Sequence, residues 1–357
     1  MPGLQKYLDG FGYLRNHGLL WLSEKTRKVL WKPNAVAVDI TARCSCRCMQ
    51  CDIWKSEETE ELSREQWEAL IVDLRDWLGH YGVTIGGGEP LIRNDMLDLC
   101  RFAIRNHATV NLLTNGMHFN NRVIREICDM GMQRLAISID GLEDTHDYIR
   151  GIPGLFARIR EAVEEFRRHS RRPLITVETI VTSRSLPELE SLVQWAESKE
   201  LKGVLFHPLA QNFGAREKDP TWYEHSELWV RDLELLDSTV DRLLEMQQKG
   251  RAVVNAPSQL RAFKQYYRDP TVAAMPGRKC DAGKSSVQIN HRGDVIFCYP
   301  FGAVGNIKET PLSQLWCSSR AREMHRQIRA CTLNCSLLNC YFGGGLFEKI
   351  RRYIRYH

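Results

Sequence analysis

The sequence predicts an α/β fold: a partial (β/α)6 barrel of parallel strands, followed by a small C-terminal hairpin-and-helix domain. Three observations carry this. From residue 33 to about 209, six short apolar runs alternate with longer amphipathic ones, the pattern of parallel strands joined by crossover helices. Six repeats fall short of the eight that close a full barrel. After residue 255 the alternation stops, and a hairpin pattern and a thiol-rich loop take over.

Each element has its own signal. "AVAVDI" (35–40) reads as a buried strand. "LSREQWEALIVDLRDWL" (62–78) reads as a helix: Ser63 and Gln66 form a capping box, and Trp67, Leu70, Ile71 and Leu74 share one face. "YGVTIGGGEP" (81–90) is a strand running into a glycine turn, with a helix near 94–106. "ATVNLLTNG" (108–116) is a strand and turn, with a helix at 120–130. "RLAISIDG" (134–141) is the fourth strand, with a helix near 153–169. "LITVETIVT" (174–182) is the fifth, with a helix near 187–199. "GVLFHPLA" (203–210) is the sixth, and residues 225–248 read as one long helix. "SSVQINHRGDVIFCYP" (285–300) reads as a hairpin turning at His291–Asp294, and residues 310–328 as a helix. The expected units are a basic amphipathic segment (1–32), the barrel (33–255), the thiol-rich domain (256–345) and a basic C-terminal helix (346–357).

Composition narrows the function class. Of 357 residues, 43% are hydrophobic, enough for a sizeable core. No apolar run approaches the roughly 18–20 residues of a membrane span, and the start has no secretory signal pattern. The expected compartment is cytoplasmic. The net charge of +5 is concentrated at the ends: Lys6, Arg15, Lys25, Arg27, Lys28 and Lys32 at one, Lys349, Arg351, Arg352 and Arg355 at the other. The middle shows no basic patch with interleaved aromatics, so nucleic acid is not an expected partner. Leu4, Tyr7, Leu8, Phe11 and Leu14 follow helical spacing, as do Leu346, Phe347, Ile350 and Ile354. Such segments either pack on the barrel or lie peripherally on the inner face of an anionic membrane. The second reading would suit a lipid-linked substrate.

Twelve cysteines in such a chain are not a disulfide framework. Cys100 and Cys128 stand apart and read as small buried hydrophobes. Cys317, inside the expected helix, reads as structural. Cys44, Cys46, Cys48 and Cys51 crowd one loop after the first strand, and Cys280, Cys298, Cys331, Cys335 and Cys340 gather near the end. Cys44, Cys48 and Cys51 have the spacing C-x3-C-x2-C. Three thiolates on a tight loop suit a [4Fe–4S] cluster and leave one iron open to a chelating molecule. Zinc is the competitor, in a scaffold or adaptor protein. It wants four ligands, usually as two short pairs, and Cys46 would close such a site poorly. Glu178 and His207, on the fifth and sixth strands, are candidate proton acceptors facing the barrel interior.

The loop and its neighbouring turns resemble the radical S-adenosylmethionine (radical SAM) enzymes. C-x3-C-x2-C after a first strand is their signature, and "GGGEP" (86–90) matches their glycine-rich turn. The resemblance implies that Cys44, Cys48 and Cys51 hold a [4Fe–4S] cluster bound to S-adenosylmethionine. It also implies that Gly86, Gly87, Gly88 and Glu89 border the methionine group, that Ser138 and Asp140 meet the ribose, and that Asn115 and Gly116 line the same pocket. One position departs from the family: an aromatic residue usually precedes the third cysteine, and here it is Gln50. Ile53 or Trp54 would then cover the adenine. Cys46 has no family role.

The later thiols resemble the SPASM extension of these enzymes, or its shortened twitch form. The five well-placed cysteines imply one auxiliary [4Fe–4S] cluster, held by Cys280, Cys298 and two of Cys331, Cys335 and Cys340. The implied activity is reductive cleavage of S-adenosylmethionine to a 5′-deoxyadenosyl radical, which takes a hydrogen atom from a substrate carbon. Oxidation of a small-molecule or lipid-linked substrate is the expected outcome. A peptide-modifying maturase and an epimerase using a thiol such as Cys46 or Cys317 are the alternatives. An electron donor such as flavodoxin or ferredoxin is the implied protein partner.

Overall fold

The computed structural model describes residues 31–33, 35–57, 60–170, 172–211, 219–272, 274, 280, 282–284, 286–331 and 333–334. Most of the expected N-terminal segment, the expected C-terminal helix, Cys335 and Cys340 lie outside the described residues. Strands β1 (Ala35–Thr41), β2 (Tyr81–Gly87), β3 (Ala108–Thr114), β4 (Arg134–Ser138), β5 (Leu174–Val181) and β6 (Gly203–Pro208) fall where periodicity predicted them. Between them run α1 (Arg64–Leu78), α2 (Met96–Arg105), α3 (Asn121–Asp129), α4 (Glu143–Arg150), α5 (Leu155–His169) and α6 (Leu189–Ser198). The capping box at Ser63 and Gln66 is present. After β6 come α7 (Trp222–His225), α8 (Leu233–Gln248) and α9 (Pro257–Arg268). Strands β7 (Ser286–Ile289), β8 (Asp294–Cys298) and β9 (Gly302–Asn306) and helices α10 (Leu312–Trp316) and α11 (Ser319–Ala330) complete the elements of the described residues.

Among the described residues, all nine strands form one sheet, in the order β6-β5-β4-β3-β2-β1-β7-β8-β9. β1 to β6 are parallel neighbours, and β7 pairs parallel with the free edge of β1. The expected hairpin is present as β7–β8, and β9 adds a third antiparallel strand. The C-terminal strands thus continue the barrel sheet. Strand alternation separates the two faces. Val36, Val38, Ile40, Ile175 and Val177 are buried on one face. Register puts Asp39, Thr84, Asn111, Ser138, Glu178, His207 and Gln288 together on the other, which is only half-buried.

Five expectations need correction. α4 was not expected, because its two buried residues, His146 and Ile149, are too few to show a period. The long helix begins at Leu233, not residue 225. Asp232 caps it by accepting from the Leu235 N–H, while the stretch before it inserts Trp229 between Tyr266 and Tyr267. The helix expected over 310–328 breaks in two, because Ser318 starts a new helix by accepting from the Ala321 N–H. Cys317 therefore lies exposed at the break rather than inside a helix. Cys100 is buried as expected, but Cys128 is only half-buried.

An aromatic cluster locks the ends of the described chain together. Trp316 donates to the Trp31 carbonyl at 2.9 Å and stacks edge-on against Phe297 at 4.9 Å. Trp31 donates to the Lys284 carbonyl at 3.0 Å and is itself buried, so residue 31 belongs to the core rather than to the expected terminal segment. Trp316→Ala is expected to cost about 3–5 kcal/mol, read as a lower urea midpoint at unchanged slope.

Candidate active site

The thiol loop follows β1 and is held from two sides. From one side, the glycine turn after β2 pairs with it: the Gly88 N–H donates to the Thr41 carbonyl and the Glu89 N–H to the Arg43 carbonyl, each at 2.8 Å. Gly87 has a φ of +111°, and a Cβ there would meet the Thr41 carbonyl oxygen at 2.5 Å. A Cβ on Gly88 would collide with the Arg43 carbonyl. The glycines are needed because two backbones meet here. From the other side, the end of α4 supports the loop. The Arg47 and Met49 N–H groups donate to the Arg150 and Ile149 carbonyls, each at 3.0 Å.

Glu89 welds the glycine turn to the turn after β3. Its fully buried carboxylate accepts from Thr114 Oγ1 and the Asn115 N–H, both at 2.7 Å, and from the Leu91 N–H at 3.1 Å. Burial pushes its pKa up to about 7. Asn115 then turns its amide toward the loop, with Nδ2 3.8 Å from Cys44 Sγ. His118, from the same turn, meets Ser45 Oγ at 3.2 Å.

Asp140, expected at the ribose, is the hub of a buried network. Oδ1 accepts from the Ile180 N–H, and Oδ2 from Gln50 Nε2 and Arg150 Nη2, each at 2.8 Å. Its side chain is 0% exposed. Gln50 occupies the place of the missing aromatic as part of this network, with Oε1 buried and without a donor. Arg150 Nη1 reaches Cys48 Sγ at 3.8 Å. A hydrogen bond from Cys46 and the nearby Arg150 guanidinium pull Cys48 down to about 6, against burial. Burial pushes Cys51 up to about 11. The buried Cys46 thiol lies between Cys44 and Cys48, hydrogen-bonded to both.

Ser138 sits half-buried on the inner face at the end of β4, and Gly86 is buried at the end of β2. Glu178 and His207 share that face, with Glu178 Oε2 3.1 Å from His207 Nε2. Asp39, unassigned from sequence, accepts from Gln288 Nε2 and Tyr299 Oη on Oδ2, both at 2.7 Å. A lone Asp in the apolar run "AVAVDI" was its visible signal. Tyr299 follows Cys298, which is buried at the end of β8. Cys280 and Cys331, both half-buried, each accept a backbone N–H: Ala282 at 3.4 Å and Leu333 at 3.5 Å. Asn334 ties the Cys331 segment back to residues 270–274.

Residues 38–196 match the radical SAM superfamily, and residues 280–341 match SPASM, an iron–sulfur cluster-binding domain. The chain belongs to the radical SAM superfamily and carries a SPASM domain. It is 27% identical over 318 residues to an AdoMet-dependent heme synthase of Methanosarcina barkeri, covering 83% of this chain and 85% of that one. It is 25% identical over 310 residues to a PqqA peptide cyclase of Rhizobium meliloti, covering 82% and 76%. Streptococcus suis SuiB bound to S-adenosylmethionine shares the fold, with a TM-score of 0.68 at 15% identity over 87% of this chain and 71% of that one.

Family membership overturns the zinc scaffold reading and makes the protein an enzyme. Radical SAM domains bind a [4Fe–4S] cluster with S-adenosylmethionine, and SPASM domains bind auxiliary iron–sulfur clusters. The residues present fit the first group. Two N–H donors face the Cys44 and Cys48 sulfurs, and the turn beside them is kept free of Cβ atoms. Among the described residues, no three metal-ligating side chains converge to hold a single ion; separate irons do not require it. None of the described helices is long and apolar enough to cross a membrane.

Two outcomes are expected. Gly88→Ala pushes the Arg43 carbonyl away and lowers iron uptake on anaerobic reconstitution. Glu89 holds its proton to higher pH folded than unfolded, so its stability contribution is full below about 4.5 and is lost as pH rises through about 7. Glu89→Gln therefore flattens that part of the apoprotein's stability profile, read from urea midpoints across the same range.

Proposed function

We propose that this enzyme couples radical formation from S-adenosylmethionine to a two-electron oxidation of a substrate held on the inner face of the sheet. In this reading Cys44, Cys48 and Cys51 hold the first cluster, in the unit 33–255. Cys280, Cys298 and two of Cys331, Cys335 and Cys340 hold one auxiliary cluster, in the unit 256–345. When bound, the first cluster supplies the electron that splits S-adenosylmethionine into methionine and a 5′-deoxyadenosyl radical. The backbone of Gly86, Gly87 and Gly88 receives the methionine group, and Ser138 faces the ribose. Asp140 and Glu89 act behind them, as positioning residues.

The observation that carries this reading is the double pairing of β1. One neighbour, β2, leads into the glycine turn; the other, β7, leads through β8 to Cys298. Tyr299, next to Cys298, donates to Asp39 on the inner face of β1. The loop after β1 and Cys298 at the end of β8 thus belong to one sheet, whose inner face carries Asp39. A substrate there loses a hydrogen atom to the radical, then one electron and one proton. An auxiliary cluster, when bound, would supply an acceptor for that electron, and the Glu178–His207 pair would take the proton.

The names of the relatives, heme synthase and peptide cyclase, make an iron porphyrin or a peptide the first substrates to test, ahead of lipid-linked compounds. A flavodoxin or ferredoxin is the proposed reductant.

Reconstituted protein is expected to bind about eight irons, four per cluster, and to release 5′-deoxyadenosine from S-adenosylmethionine under a strong reductant. Cys44→Ala abolishes that release. Cys298→Ala and His207→Ala keep it, but lose oxidised product with the porphyrin or peptide that stimulates the wild type. An iron-loaded wild type that releases no 5′-deoxyadenosine refutes the proposal.

A further inference from the structure

We infer that Arg150 and Asn115 raise the reduction potential of the first cluster by donating N–H groups to two of its three ligand sulfurs. The inference rests on the cluster assignment of Cys44, Cys48 and Cys51 proposed above. The donors come from different parts of the chain and reach different sulfurs. Arg150 Nη1 lies 3.8 Å from Cys48 Sγ, and Asn115 Nδ2 lies 3.8 Å from Cys44 Sγ. Cys51 takes the Ile53 N–H.

Both donors are held in place. Asn115 Oδ1 accepts from the Met117 N–H at 2.9 Å, which fixes the end of the amide that faces the thiol. Its backbone N–H is held by Glu89 at 2.7 Å. Arg150 Nη2 is held by Asp140 Oδ2 at 2.8 Å, and Asp140 in turn by Gln50 and the Ile180 N–H. The Arg150 side chain is 11% exposed and that of Asp140 0%, so little water screens the pair.

Reduction adds one negative charge to the cluster. N–H dipoles aimed at the ligand sulfurs, and a buried cation beside one of them, favour the added charge and raise the potential. Asp140 stands behind Arg150 and opposes it. The two charges therefore act on the potential with opposite signs. This separates electrostatic tuning from damaged packing, which has no reason to reverse sign between them.

The test uses anaerobically reconstituted full-length protein. An EPR-monitored redox titration follows the reduced-cluster signal that changes when S-adenosylmethionine is added. Arg150→Gln is expected to lower the midpoint, Asn115→Ala to lower it by less, and Asp140→Asn to raise it. Arg150→Lys keeps the charge but gives up one arm of the fork. It is expected to lower the midpoint modestly, and it serves where Arg150→Gln takes up too little iron. Unchanged midpoints in variants with wild-type iron content overturn the inference, as do shifts of the same sign at Arg150 and Asp140. A wild-type protein with no signal that responds to S-adenosylmethionine overturns the cluster assignment instead.

Discussion

The parallel pairing of β1 on both edges is the constraint from which the site follows. With β2 on one side and β7 on the other, β1 is an interior strand rather than the edge of an open barrel. Interior parallel strands must be apolar on the face that the helices cover, and Val36, Val38 and Ile40 meet that demand. The inner face is then free to carry polar groups. Asp39 uses it to take hydrogen bonds from Gln288 on β7 and from Tyr299, just past β8. The loop leaving β1 is consequently placed with respect to both halves of the chain at once.

Around that loop, buried charge is tolerated only because every charge is answered. Asp140 is wholly inaccessible, and three donors converge on it. Removing one member of such a pair commonly costs 3–5 kcal/mol, because the other is left buried and uncompensated. Glu89 solves the same problem differently: three donors hold it, and burial leaves its acid form within reach of neutral pH. The two carboxylates therefore serve different ends. Asp140 orients a cation, and Glu89 joins two turns.

Much of this could be read directly from the chain. The six parallel strands have clear apolar runs bounded by turns, and the thiol spacing and glycine turn stand out locally. What escaped was nonlocal. Nothing in "SSVQI" says that it will lie beside "AVAVD", because parallel pairing across some 250 positions leaves no local pattern. The network around Asp140 was hidden because its partners, Gln50 and Arg150, come from the thiol loop and from a helix too short to announce itself. Cys317 looked internal because Leu312, Leu315 and Trp316 continue a helical period up to the break that Ser318 imposes.

The Trp316–Trp31 contact joins residues 285 positions apart. During synthesis, β1 emerges first, and one of its edges has no partner until β7 follows. A bare apolar strand edge invites pairing with other chains, and such long-range closure is slow. Chains cut short before β7 should therefore be the aggregating species in cells. The nascent protein meets its greatest hazard before its second thiol group has left the ribosome.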